Sequence, residues 1–231
     1  MTRPAGLIAA LDTADIAQAA AWAAAVARSC GMVKLGLEFF LANGPAGVRA
    51  VGARNLFLDL KLHDIPNTVA GAVRSVLALA PRLLTLHGAG GAAMLRAARA
   101  AAETAGAQRP ALLAVTVLTS LDDAALAAAG VPGGTAAQVV RLAHMAMASG
   151  ADGLVCAPTE VAALRAALGP APLLVVPGIR PQGAAADDQA RTLSARQAAQ
   201  AGADWLVVGR PITQAADPAA AAAALAAEIA G

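Results

Sequence analysis

Tyrosine is absent from this sequence, and aromatic residues make up only 2% of it. Single-stranded nucleic acid is held on stacking aromatics, so this composition argues against such a platform. Charge of one sign is also scarce: the formal net charge is +2, with no basic run to follow a phosphate backbone. Hydrophobic residues reach 58%, but much of that is alanine, interrupted by Arg, Asp, Glu and Gln. No run of large apolar residues is long enough to predict a transmembrane helix. Neither nucleic acid nor a membrane is therefore an expected partner. Two cysteines, Cys30 and Cys156, and three histidines, His63, His87 and His144, are scattered without metal-ligand spacing. A zinc site is not expected. The cysteines read as core thiols of a reduced, cytoplasmic protein rather than as a disulfide. Met1–Gly6 shows no leader or cleavage pattern, so none is expected.

What the chain does have is a regular alternation. Strand-like runs at 7–11, 32–37, from Leu56 into the charged stretch that follows, and at 82–87, 111–118, 153–156, 173–176 and 205–208 are each followed by a helical stretch. Eight such units predict parallel pairing through right-handed crossovers. At 231 residues the best fit is a single α/β domain over 1–231, a closed (β/α)8 TIM barrel, with a doubly wound open sheet as the runner-up. A barrel places its chemistry at the C-terminal ends of its strands. Asp12, Lys34, Asp59, Lys61, His87, Thr119, Arg180 and Arg210 all fall there, and the N-terminal ends show no comparable polar set.

The most unusual stretch is Asp59-Leu60-Lys61-Leu62-His63-Asp64-Ile65-Pro66-Asn67-Thr68. Strand side chains alternate between faces, so Asp59 and Lys61 share one side while Leu58, Leu60 and Leu62 share the other. The leucines suit packing beneath helices, which turns the two charges toward the barrel axis. An unpaired ion there costs several kcal/mol, on the order of a whole domain's stability. Lys34 has the parity of Met32 and Gly36 and also faces the axis. Lys34, Asp59, Lys61 and Asp64 then form an alternating set of two cations and two anions. One such pair has an equally good structural explanation, an ion network that stiffens the barrel; four charges at the catalytic end favour a functional one. Asp64 lies beyond the strand and has the freedom to reach across an interface. His63 has Lys61's parity and is assigned no chemistry.

Two Gly/Arg turns follow the last two strands, Pro177-Gly178-Ile179-Arg180 and Gly209-Arg210-Pro211. Barrels commonly bind phosphate at this position. Gly209 exposes backbone N–H groups, a helix from about Pro211 would add its dipole, and Arg210 offers a bidentate charge-assisted contact. The small, polar stretch from Gly183 to Gln189 suits a closing loop, or an ordinary surface loop. Thr119 and Ser120 are placed to read the edge of a heterocycle, with Ser120 equally suited to capping the next helix. His87 reads as a core histidine with a backbone partner, and His144 as structural.

The stretch from Asp59 to Thr68 closely resembles the signature of the orotidine 5′-phosphate decarboxylase family. Ala10-Leu11-Asp12, Lys34-Leu35-Gly36-Leu37-Glu38, Val117-Leu118-Thr119-Ser120, Pro177-Gly178-Ile179-Arg180, Asp188-Gln189 and Val208-Gly209-Arg210-Pro211-Ile212-Thr213 match in order along nearly the whole chain. The resemblance implies a cofactor-independent decarboxylation of orotidine 5′-phosphate to UMP, the last step in making UMP. It implies Lys61 as catalytic acid, flanked by Asp59 and Lys34, with Asp64 supplied by the partner chain of a homodimer. It further implies Thr68 reaching into the partner's site and Asp12 with Lys34 on the ribose hydroxyls. Thr119 with Ser120 would read the pyrimidine, and Gln189, Gly209 and Arg210 would hold the 5′-phosphate, with Arg180 close by. The alternatives are a magnesium-dependent sugar-phosphate lyase or decarboxylase on a related barrel, and a binding protein for a phosphate ligand that lacks turnover.

Overall fold

The computed structural model describes residues 5–179 and 193–231. Arg180 and Gln189, and the stretch from Gly183 to Gln189, lie outside the described residues.

Eight strands, β1 (Gly6–Ala10), β2 (Met32–Gly36), β3 (Leu56–Leu62), β4 (Leu83–His87), β5 (Ala111–Val115), β6 (Gly153–Val155), β7 (Leu173–Val176) and β8 (Trp205–Val208), pair in parallel and in sequence order. β8 returns to β1 and closes the barrel, as the alternation predicts. The helices around it are α1 (Ile16–Val26), α2 (Leu37–Val51), α3 (Pro66–Val76), α4 (Gly91–Glu103), α5 (Asp123–Ala128), α6 (Gly134–Ala148), α7 (Val161–Leu168), α8 (Ala195–Gln200), α9 (Arg210–Thr213) and α10 (Pro218–Ala230). Their starts carry the expected signals. Asp15, Asp122, Ser194 and Asp217 cap α1, α5, α8 and α10 by accepting first-turn N–H groups. Pro66 opens α3, where a missing N–H costs nothing. α2 is broken at Gly44 (φ 59°), just before Pro45.

The strand period of two divides the core into two layers. Ile8, Met32, Phe57, Leu83, Leu113, Val175 and Val207 fill the inside of the barrel. Leu7, Leu35, Leu58, Leu84, Leu112 and Leu206 belong to the layer beneath the helices. Each large side chain so buried contributes about 1.5–3 kcal/mol. Trp205 packs across the N-terminal end of the barrel. A Cβ at Gly6 would lie 2.2 Å from its ring and one at Gly31 2.8 Å, so both glycines make room for the indole.

The N-terminal end also has polar anchors, against the expectation that it would lack them. Asp152, just before β6, accepts two hydrogen bonds from Arg109, one from Arg99 and one from the Leu112 N–H, all at 2.8–3.0 Å. Asp204, just before β8, accepts from Arg165 at 2.6 Å and from the Leu174 N–H at 2.7 Å. Each acid latches its own strand to the preceding one. Burial pushes the Asp152 carboxyl up, but the Arg109 and Leu112 hydrogen bonds and the Arg109 and Arg99 charges outweigh it and hold it below the ordinary carboxylate range. Its stabilisation is therefore complete above the ordinary carboxylate pKa and is lost as pH falls through the depressed value. Asp152→Ala strands these donors, and we expect a loss of about 2–4 kcal/mol. In a chain of this size that lowers Tm by very roughly 5–15 °C. A melting temperature equal to the parent's at neutral pH would refute the latch.

Candidate active site

A cavity of about 530 Å³ opens inside the C-terminal end of the barrel. Its floor is the inner apolar layer, including Phe57, Val155 and Val207. One wall carries charge. Asp12 follows the end of β1, and β2 and β3 deliver Lys34, Asp59 and Lys61 to the same wall.

These four side chains form a chain of contacts. The Lys34 Nζ lies 3.1 Å from the Asp12 Oδ1 and 3.4 Å from the Asp59 Oδ2. The Lys61 ammonium donates to both Asp59 oxygens at 2.9 Å. Both contacts lie on one side of the ammonium, which leaves donor capacity for a group in the cavity. Asp59 is buried, and burial alone raises its carboxyl pKa. The charges of Lys34 and Lys61, with hydrogen bonds from Lys61 and Thr85, reverse that shift and hold it below the ordinary range. Lys34 behaves in the mirror sense: burial lowers it, while Asp59 and Asp12 more than compensate and hold it above the usual lysine value. Both groups are therefore ionised at neutral pH. The four charges sum to zero, which is how a buried wall of this kind is tolerated.

β3 does not reach this wall as a regular strand. Its register to β4 runs Leu58 to Leu84 and then Leu62 to Leu86, so β3 bulges by two residues. Lys61 sits in the bulge with φ 48°, a left-handed conformation that a non-glycine residue adopts at a cost. The buried Thr85 fills the bulge. Its hydroxyl accepts the Lys61 N–H at 2.9 Å and donates to the Asp59 Oδ1 at 2.9 Å. The sequence reading did not single out Thr85. Its parity with Leu83, an inner-layer residue, is the signal that would have found it.

The rest of the cavity lining includes Thr119, Pro177, Gly178, Gly209 and Arg210, together with Gln214 and Cys156, which sequence reasoning did not anticipate. β5 ends at Val115, so Thr119 reaches the cavity from the connection beyond the strand. Ser120 is exposed, and the cap that opens α5 is Asp122. The helix expected near Pro211 is the single turn α9. A helix this short has little macrodipole, so the anion-binding capacity of this part of the lining rests on backbone N–H groups and the Arg210 guanidinium.

Of the central motif's expectations, the one overturned is that for His63; those for Asp64 and Thr68 concern a partner chain. Asp64 is exposed, and its Oδ1 accepts the Ile65 N–H at 2.6 Å. Within one chain the linked charges are Asp12, Lys34, Asp59 and Lys61. Thr68 is likewise exposed, in the first turn of α3. His63 is not on the inner face: it is exposed beyond β3 and stacks on His87, with ring centroids 5.0 Å apart. His87 is half-buried, and its Nδ1 accepts the Ala89 N–H at 3.3 Å, the expected backbone partner. His144 is exposed on α6. Cys30 and Cys156 are not joined in a disulfide, and burial pushes the Cys30 thiol up to about 12. Among the described residues, no group of three or more His, Cys, Asp or Glu is placed to hold a metal ion. No described helix is long and apolar enough to cross a membrane.

Comparison with known proteins decides between families that build such a wall. Residues 5–225 match the model of the orotidine 5′-phosphate decarboxylase / HUMPS family. The chain belongs to that family. It is 58% identical over 223 residues to the orotidine 5′-phosphate decarboxylase of Anaeromyxobacter sp. (strain K), covering 96% of each chain. To that of Thermobifida fusca (strain YX) it is 58% identical over 224 residues, covering 95% of this chain and 94% of the relative. The crystal structure of orotidine 5′-phosphate decarboxylase from Lactobacillus acidophilus superposes with a TM-score of 0.87 at 35% identity, covering 98% of this chain and 100% of that one. Membership accounts for the barrel.

Proposed function

We propose that this enzyme decarboxylates orotidine 5′-phosphate to UMP, as the names of its relatives indicate for them. The observation that carries the reading is the Lys61 ammonium, hydrogen-bonded to both oxygens of a buried carboxylate at the wall of an otherwise apolar-floored cavity. The C6–carboxylate bond breaks, CO2 leaves, and the electron pair stays on C6. The pyrimidine ring delocalises that pair poorly, so a fixed positive charge beside C6 is the stabilisation available from side chains. Lys61 supplies it and then transfers a proton to C6, giving UMP. Asp59 aims the Lys61 ammonium, and Lys34 balances Asp59. Asp12 and Lys34 take the ribose hydroxyls, and Thr119 reads the pyrimidine edge, with Ser120 beside it on the same connection.

The phosphate is assigned to Gly209 and Arg210, with Arg180 and Gln189 as further ligands. A Cβ at residue 209 would stand 3.5 Å from the Asp12 Oδ2, so glycine keeps the space between that turn and the ribose side open. Grip on this remote group helps to position the ring.

The chain is further proposed to act as a cytoplasmic homodimer in which Asp64 and Thr68 serve the partner's site. Two features support this. Leu37, Leu41 and Ile65 are exposed large apolar side chains, and all follow the C-terminal ends of β2 and β3. A second recess, of about 170 Å³, lies between Leu37 and the Asp59–Lys61 pair and has room for a carboxylate from outside.

The test is the loss of orotidine 5′-phosphate absorbance with purified protein, with and without a chelator. Turnover that is unchanged by the chelator is expected. No turnover, or turnover that the chelator abolishes, would favour the magnesium-dependent sugar-phosphate chemistry or a ligand-binding role instead.

A further inference from the structure

We propose that Thr85 is a positioning residue of this site: its single hydroxyl locks the left-handed bulge at Lys61 and the Asp59 carboxylate into one unit, and so sets where the ammonium points. The proposal rests on the decarboxylase reading, because it concerns the aim of that reaction's proton donor.

The geometry leaves the hydroxyl one consistent role. A backbone N–H can only donate, so the Thr85 Oγ1 must accept from Lys61. An ionised carboxylate can only accept, so the Thr85 hydroxyl hydrogen must go to Asp59. One O–H group thus joins the backbone of the proton donor to the side chain of its counter-ion. Three residues of β3, from Asp59 to Lys61, stand opposite Thr85 between the Leu58–Leu84 and Leu62–Leu86 pairings. In a regular ladder the Lys61 N–H would find a β4 carbonyl; here the Thr85 side chain takes that place. Lys61 has a Cβ and pays for its φ of 48° in backbone strain, so the bulge needs an interaction that over-determines it. Thr85 has no solvent exposure, so no water from outside substitutes for it without rearrangement. The other charged groups around this unit, Lys34 and Asp12, contact the carboxylate or its counter-ion but not the Lys61 backbone.

Thr85→Val keeps the branched shape and removes only the hydroxyl. Its kcat on orotidine 5′-phosphate is expected to fall about 10- to 100-fold, the range for losing a hydrogen bond to a charged group. KM should stay within about twofold, because the phosphate and ribose contacts lie elsewhere. Thr85→Ser restores the oxygen and should recover kcat to within about threefold of the parent. A Ser variant as impaired as the Val variant, or a Val variant that loses only KM, overturns the proposal. Amide hydrogen exchange tests the lock without turnover. In the wild type the Lys61 amide should exchange far more slowly than that of the exposed His63, and Thr85→Ser should preserve the protection. Wild-type exchange at Lys61 as fast as at His63 overturns the proposal even if Thr85→Val fails to fold. If the wild type protects the Lys61 amide but turns over no orotidine 5′-phosphate, the lock stands and the decarboxylase reading is what fails.

Discussion

Lys61→Ala is expected to lower kcat by at least about 10⁴-fold while leaving UMP binding measurable. A positioned general acid contributes roughly 10²–10⁴-fold, and preorganised charge at the reacting atom roughly 10²–10³-fold more. Lys61 is assigned both tasks, and no neighbour can take them over. The Lys34 ammonium is buried and already engaged by Asp12 and Asp59. The fold should survive the change. Asp59 keeps Lys34 at 3.4 Å and the Thr85 hydroxyl at 2.9 Å, so no buried charge is left alone. The expected phosphate contacts of UMP lie at Gly209 and Arg210, which the substitution does not touch. Product affinity by calorimetry separates this outcome from misfolding. Lys61→Arg is expected not to rescue, because a guanidinium keeps its charge but does not give up its proton at neutral pH. A Lys61→Ala enzyme within tenfold of the parent's kcat would remove Lys61 from the chemistry.

Much of this wall was legible in the sequence because β3 obeys parity even where it is irregular. Its bulge adds two residues, an even number, so Asp59 and Lys61 stay on the inner side and Leu58 and Leu60 on the outer. An extra single residue would have reversed the reading. The bulge itself was not legible, since nothing in Leu60-Lys61-Leu62 announces a positive φ and no glycine marks it. That is also why His63 was misplaced: parity was extended past the end of β3, where the chain no longer alternates. Thr85 was passed over for a related reason. A threonine in a strand reads as an ordinary β-former, and its hydroxyl matters only against a neighbour 24 residues away. The latches at the other end of the barrel carried a visible trace. Gly150-Ala151-Asp152 and Gly202-Ala203-Asp204 repeat the same three residues just before β6 and β8. Their arginine partners lie 39 to 53 residues away in the chain, a pairing that only the closed barrel creates.

The second large effect concerns Asp64. Asp64→Ala alone is expected to lower kcat by roughly 10²–10³-fold, the usual loss when one charged group is removed from a preorganised site. The size of that loss cannot say which chain's site Asp64 serves, whereas mixing can. Lys61→Ala and Asp64→Ala proteins, each nearly inactive, are combined under conditions that exchange subunits. Random pairing makes about half of the dimers mixed, and each mixed dimer unites one unaltered Lys61 with the partner's unaltered Asp64. About one quarter of all sites are then complete, so activity should return to about a quarter of the parent's. If Asp64 instead served its own chain, every site in every dimer would lack one of the two groups and nothing would return. Differently tagged subunits, captured through one tag and detected through the other, establish that exchange has occurred. Proven exchange without recovered activity would confine Asp64 to its own protomer. The exposed position of Asp64, beside the exposed Ile65 and ahead of the exposed Thr68, favours recovery. Among the described residues of its own chain the Asp64 carboxylate holds the neighbouring Ile65 N–H, and Lys61 is already paired with Asp59 without it.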